Sequence, residues 1–152
     1  MYNAYADDLL DLGLFPESIR ETQDQWYYNK TGTPLYYDLL ISVERYGLPL
    51  DSRHMYTKSD WEMFIAAISS HATRDLLIGR LARWINETST DRPFTDLYDT
   101  IGTGGYPGIT FINRPVVGGH FALLALERAR ELRNGTMDFE RNDLFGFGWI
   151  LD

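Results

Sequence analysis

Residues 47–68 read GLPLDSRHMYTKSDWEMFIAAI, and their reading decides the fold. The second half places Trp61, Phe64, Ile65 and Ile68 at helical spacing, which predicts one apolar helix stripe. Ser59 and Glu62 stand in S-x-x-E spacing, so a capping box is expected at the start of that helix. The first half opens with Gly47 and Pro49, a stop for the helix before it. Between stop and start lie Asp51, Arg53, His54, Tyr56, Lys58 and Asp60. A plain connection between helices needs a Gly or Pro and one capping side chain. This one carries the inventory of a polar site, on the kind of loop where binding groups concentrate.

Working towards the N-terminus, Tyr36, Leu39, Leu40, Val43 and Tyr46 form a helical stripe behind Thr33 and Pro34, an N-cap followed by Pro at the first helical position. An earlier helix opens at Pro16 and runs to about residue 28, with Ile19 and Trp26 inward. The first helix carries Tyr2, Tyr5, Leu9 and Leu12 and ends at Gly13. Working towards the C-terminus, Leu77, Leu81, Trp84 and Ile85 mark a helix over residues 73–85. Residues 88–117 hold no sustained period and are broken by glycines, which predicts a long functional loop with at most a short strand at 109–112. A last helix runs over residues 119–133, and its FALLAL start, apolar all round, is expected to be buried. The fold class is therefore all-α, as antiparallel helical hairpins with long polar loops. The tail from residue 134 to 152 is unassigned; Phe145, Phe147 and Trp149 alternate there as in a strand or an apolar strap.

Composition sets the outer limits. The 152 residues are 44% hydrophobic and 14% aromatic, enough to bury a core. A net charge of −8 without a basic stripe argues against nucleic acid as a partner. No run approaches the roughly 20 apolar residues of a membrane span. With no cysteine, thiolate metal sites and disulfides are out of reach. The start MYNAYADDLL lacks the basic and apolar regions of a secretory signal, so an exported protein would carry its signal upstream of Met1. Sequons at Asn29, Asn86 and Asn134 exceed what composition predicts and lean towards a secreted glycoprotein.

The long loop holds a second polar cluster of Asp96, Tyr98, Asp99, Arg114 and His120. Asp60 falls in the first turn of its predicted helix, where the dipole favours a carboxylate and a base or ammonium-binding role; strengthening that helix start alone is the equal alternative. His54 has the range of a proton shuttle, or is satisfied by its own loop. Glycines before His120 permit either a close ligand or a tight turn. Ser59 beside Lys58 reads as a cap before it reads as a nucleophile. Trp26, Trp61 and Trp84 read as core before they read as sugar platforms. No metal-ligand spacing and no phosphate loop is present, so no metal or other cofactor is expected.

Longer strings carry a resemblance. YGLPLDSRHMYTKSDWEMF at 46–64, RPFTDLYDT at 92–100 and RPVVGGHFALLAL at 114–126 resemble the C-terminal part of the fungal glutaminase A family. YADDLLDLGLFPESI at 5–19 and QWYY at 25–28 are similar to the helices that precede it. The resemblance covers roughly residues 2–126. It implies part of an (α/α)6 toroid of six-hairpin glycosidase type over residues 1–133, secretion, and hydrolysis of L-glutamine to glutamate and ammonia. A toroid of twelve helices takes about 300 residues, so the chain reads as a truncated member whose partner would be the missing N-terminal part of the toroid, and whose independent activity is open.

For amide hydrolysis the candidate catalytic residues are Asp60, Asp99 and His54. Arg53 or Arg114 is suited to the two-pronged binding of an α-carboxylate, and Asp51, Asp96 or Asp99 to an α-ammonium. Lys58 and His120 complete the candidate substrate-binding set. The alternatives are a glycosidase using Asp60 with Asp96 or Asp99 on an oligosaccharide, and a non-catalytic helical interaction module.

Overall fold

The computed structural model describes residues 3–31, 45–88, 94–105 and 111–135. Its elements are α1 (Ala4–Leu10), α2 (Glu17–Thr31), β1 (Tyr56–Lys58), α3 (Ser59–Ile68), α4 (His71–Glu87), β2 (Leu97–Asp99), a 3-10 helix (Pro115–Phe121) and α5 (Ala122–Arg133). The fold is predominantly helical, as the hairpin pattern predicts. The helix read over residues 33–46 and the tail beyond Gly135 lie outside the described residues, apart from Arg45 and Tyr46.

The central element is α3. It packs against α1, α4, α5 and the 3-10 helix, while α2 packs on α4. Ile65 and Ala66 of α3 meet Leu77 of α4 and Tyr27 of α2 in one cluster. Met63 meets Leu81, Trp84, Tyr46 and Tyr98 in a second. Tyr5 of α1 joins Ala122 and Leu126 of α5 in a third, and its hydroxyl donates to the Ala122 carbonyl at 2.9 Å. Complete burial of a side chain such as Leu77 contributes about 2 kcal/mol.

Polar side chains fix the turns. Asp7 accepts the backbone N–H groups of Leu14 and Phe15 and a 2.5 Å bond from Arg20, which also pairs with Asp8. α1 ends at Asp11 in a left-handed conformation, two residues before the expected Gly13. Ser70 caps α4 by accepting the Thr73 N–H, and the Ser70 N–H donates to Asp24 of α2 at 3.0 Å.

Several expectations are corrected. Ser59 does not cap α3: the N-cap is Lys58, and the buried Ser59 Oγ makes no hydrogen bond. Glu62 turns away from the helix start to accept the Leu48 N–H at 2.6 Å and the Thr57 hydroxyl at 3.2 Å. Ile19 and Trp26 are about half exposed, because α2 buries Tyr27 and Thr31 instead. Ile85 is exposed too. The apolar 121–126 run is only partly inside: Ala122 and Leu126 are buried, whereas Phe121 and Leu124 face outward. Only Phe121 belongs to the 3-10 helix; α5 begins at Ala122, and Ala122 and Leu126, four positions apart, share its one buried face.

A two-stranded antiparallel sheet was not anticipated. β1 and β2 pair with Tyr56 opposite Asp99, Thr57 opposite Tyr98 and Lys58 opposite Leu97. Ile112 forms an isolated bridge with Thr95, while residues 109 and 110 of the strand expected at 109–112 lie outside the described residues. No helix among the described residues is long and apolar enough to cross a membrane.

Candidate functional site

Strand β1 runs directly into α3, and three backbone bonds hold the second polar segment against that junction. The Ser59 N–H donates to the Asp96 carbonyl at 2.8 Å, the Asp96 N–H to the Phe111 carbonyl at 3.2 Å, and the Asn113 N–H to the Phe94 carbonyl at 2.8 Å. Thr95, fully buried, donates its hydroxyl to the Phe111 carbonyl at 2.6 Å. Lys58, Asp60, Asp96 and Arg114 thus meet although they come from three separate stretches of chain.

Their charges alternate. Arg114 holds Asp96 through Nε–Oδ1 at 2.9 Å and Nη2–Oδ2 at 3.1 Å. Lys58 Nζ lies 3.5 Å from Asp96 Oδ2 and 3.2 Å from Asp60 Oδ1, and donates to Asp60 Oδ2 at 3.2 Å. Both carboxylates are buried, and Asp96 is completely so. A buried carboxylate requires such compensation, since an unpaired one would forfeit its hydration. Two aromatic faces support the cations: the Trp61 ring centroid is 5.0 Å from Lys58 Nζ, and the Phe111 ring is 4.4 Å from the Arg114 guanidinium carbon.

His120 borders this chain of charges. It sits in the 3-10 helix, whose Gly119 rests on α3; a Cβ there would stand 2.8 Å from Asp60 Cβ and 3.2 Å from its Cα. Only glycine permits that approach. The His120 ring packs edge-on to Phe94 with centroids 5.7 Å apart, and its buried Nε2 has no hydrogen-bond partner. Burial lowers its pKa from the ordinary value of 6.5, partly opposed by the negative charge of Asp60. At neutral pH the ring is therefore neutral, with proton-accepting capacity.

The other candidates lie elsewhere. Asp51, Arg53 and His54 form a surface group in which Arg53 Nη2 reaches Asp51 Oδ2 at 2.5 Å and the Arg53 N–H donates to Asp51 Oδ1 at 2.8 Å. These contacts from Arg53 hold the Asp51 pKa down to about 2. Arg53 is 77% exposed, and His54 stacks on Tyr56 with ring centroids 4.8 Å apart. Asp99 is opposite Tyr56 in the sheet, and its N–H donates to the Gly105 carbonyl at 2.8 Å. Partial burial raises its pKa. Tyr98 is in the core, donating to the Tyr46 carbonyl at 3.0 Å.

Glu62 was not singled out by the sequence beyond its capping role. It is almost fully buried and forms part of the wall of a second cavity, on the far side of the junction from Asp60. The signal for it was present: a carboxylate two residues after Asp60 lies on the opposite side of a helix. No group of three or more His, Asp or Glu side chains arranged to hold a metal ion occurs among the described residues.

Comparison with known proteins gives a consistent kinship. The sequence profile of the glutaminase A six helical-hairpin domain matches residues 1–124. A probable glutaminase of Arthroderma benhamiae is 53% identical over 117 residues, which is 77% of this chain and 12% of that protein. Glutaminase A of Aspergillus oryzae is 53% identical over 127 residues, 83% of this chain and 16% of that protein. The chain thus spans less than a fifth of the length of either relative. No solved structure matches it.

Proposed function

This chain belongs to the glutaminase A six helical-hairpin family, and from that premise we propose that it carries an amidohydrolase site for L-glutamine centred on His120, Asp60 and Lys58. One observation carries the proposal: a half-buried imidazole whose own Nε2 is buried and unengaged, beside the charge chain Asp60–Lys58–Asp96–Arg114.

Amide hydrolysis needs a base for water, a cation for the oxyanion and a proton for the leaving nitrogen. In this reading His120 Nε2 takes a proton from water as its oxygen bonds to the carboxamide carbon. The Lys58 ammonium stabilises the resulting oxyanion. The imidazolium, favoured by Asp60, then protonates the nitrogen; the C–N bond breaks, and ammonia and glutamate leave. Asp96 is a positioning residue that holds Lys58 and Arg114. Arg114 presents its remaining Nη1 edge to the substrate α-carboxylate, its other edge being committed to Asp96. A glycosidase pair of Asp60 and Asp96 fits less well, because Lys58 Nζ bridges the gap a sugar would enter.

The test is ammonia release from L-glutamine, measured on this chain and on a full-length relative changed at the matching positions. We expect His120→Gln and Lys58→Met each to lower kcat by about 100-fold or more. Reducing-sugar release from oligosaccharides without ammonia would favour the glycosidase. Rates unchanged by both substitutions would leave a non-catalytic module. Family kinship also supports secretion, with the exposed Asn29, Asn86 and Asn134 as glycan acceptors; a mobility shift on enzymatic deglycosylation of the fungal protein tests it.

A further inference from the structure

A histidine that moves protons is ordinarily held by a hydrogen bond on its second ring nitrogen, which fixes both tautomer and ring plane. Among the described residues the His120 ring has no hydrogen bond, and its Nε2 is buried and unpaired. Nor does the side chain fix its own ring plane, because the histidine χ2 torsion is broad and roughly two-fold. Gly119 seats the backbone of this turn on α3 but leaves that torsion free.

A ring supplies the missing constraint. Phe94 meets the His120 imidazole with centroids 5.7 Å apart and planes at 83°. Behind it stands Trp84, at 5.6 Å and 78°. Trp84 is itself 2% exposed, stacked on the fully buried Tyr98 at 4.0 Å, and its indole N–H donates to the Gly104 carbonyl at 2.8 Å. The Phe94 carbonyl accepts the Asn113 N–H, and the next residue, Thr95, is fully buried. Phe94 is thus braced through both its ring and its backbone. Edge-to-face contacts are directional, since the positive edge of one ring meets the negative face of the other. Rotation of the imidazole about χ2 gives up that geometry.

We propose that Phe94 is the positioning residue for His120: an edge-to-face contact braced by Trp84 holds the imidazole plane in place of a hydrogen-bonded carboxylate or carbonyl. The catalytic consequence rests on the amidohydrolase reading; the orientation of the ring does not.

The experiment pairs NMR on this chain with ammonia-release kinetics on a full-length relative changed at the position matching Phe94. Phe94→Leu keeps an apolar group on Trp84 without a ring, and Phe94→Tyr keeps the ring. Residual dipolar couplings of the His120 ring C–H bonds are expected to report one fixed orientation in the parent and Phe94→Tyr, and averaging in Phe94→Leu. In the relative, the leucine is expected to lower kcat about tenfold with KM within about twofold, and the tyrosine to keep both near the parent's. Because Phe94 is 37% exposed, the melting temperature should hold; Phe94→Met makes the same comparison should the leucine variant unfold. A fixed ring without the phenyl group, an averaged ring with unchanged kcat, or equal losses for leucine and tyrosine would each overturn the proposal. Should His120→Gln leave the relative's rate unchanged, the amidohydrolase reading falls, and the dipolar couplings still decide whether Phe94 holds the ring.

Discussion

Arg114 grips Asp96 with two parallel hydrogen bonds although they stand eighteen positions apart in the chain. The carboxylate is fully buried and the guanidinium one-third exposed, so Arg114 closes over a charge that water cannot reach. Removing it leaves Asp96 compensated by Lys58 alone. Arg114→Ala is expected to destabilise the chain by about 3 kcal/mol in urea unfolding. Arg114→Lys, which keeps the charge and loses the fork, should cost about half as much. Equal stability of Arg114→Ala and the parent would show the pair to be dispensable.

His120 gives stability a pH dependence of definite sign. Its folded pKa is below the unfolded value of about 6.5. Its contribution is complete above that value and is lost as pH falls through the lower folded value, because the unfolded chain takes the proton first. Between about pH 7.5 and 5 the parent should therefore lose more thermal stability than His120→Gln. Parallel melting curves for the two would contradict this.

Gly119 sets the distance between the 3-10 helix and α3. Gly119→Ala places a methyl group 2.8 Å from Asp60 Cβ, so helix or side chain must move. Gly118→Ala meets nothing within 4 Å. The first is expected to destabilise by about 2 kcal/mol and to shift the His120 ring resonances, the second to do neither. Two indistinguishable NMR spectra for the imidazole would refute the contact.

Gly104 seats Trp84, whose indole N–H donates to the Gly104 carbonyl at 2.8 Å. At φ +69°, an added Cβ would stand 2.5 Å from Trp84 Cδ1. Gly102 has φ +61° and open space around it. Alanine at 102 should cost only the left-handed backbone penalty, about 1 kcal/mol, and alanine at 104 about 3 kcal/mol. Denaturant midpoints measure both.

Where the sequence was informative, its signal was local. α4 was legible because Leu77, Leu81 and Trp84 repeat on one face, and all three are buried. α2 was legible as a helix but not in its facing: tertiary packing chose Tyr27 and Thr31 over the more apolar Ile19 and Trp26. The β1–β2 sheet was hidden because each strand has three residues and the partners lie about forty positions apart. Lys58, Asp60, Asp96, Arg114 and His120 were all candidates as residue types. Their grouping was not legible, since it depends on backbone bonds such as Ser59 to Asp96 and Asp96 to Phe111. Asp51, Arg53 and His54 shared the same polar composition yet satisfy one another at the surface.

Trp61 touches both faces of the β1–α3 junction, as the ring beneath Lys58 Nζ and as a wall of the cavity that holds Glu62. One ring therefore serves two neighbourhoods at once: a substitution at Trp61 would uncover the Lys58 ammonium and open the cavity wall in the same step, so the two faces of the junction cannot be altered through this residue one at a time.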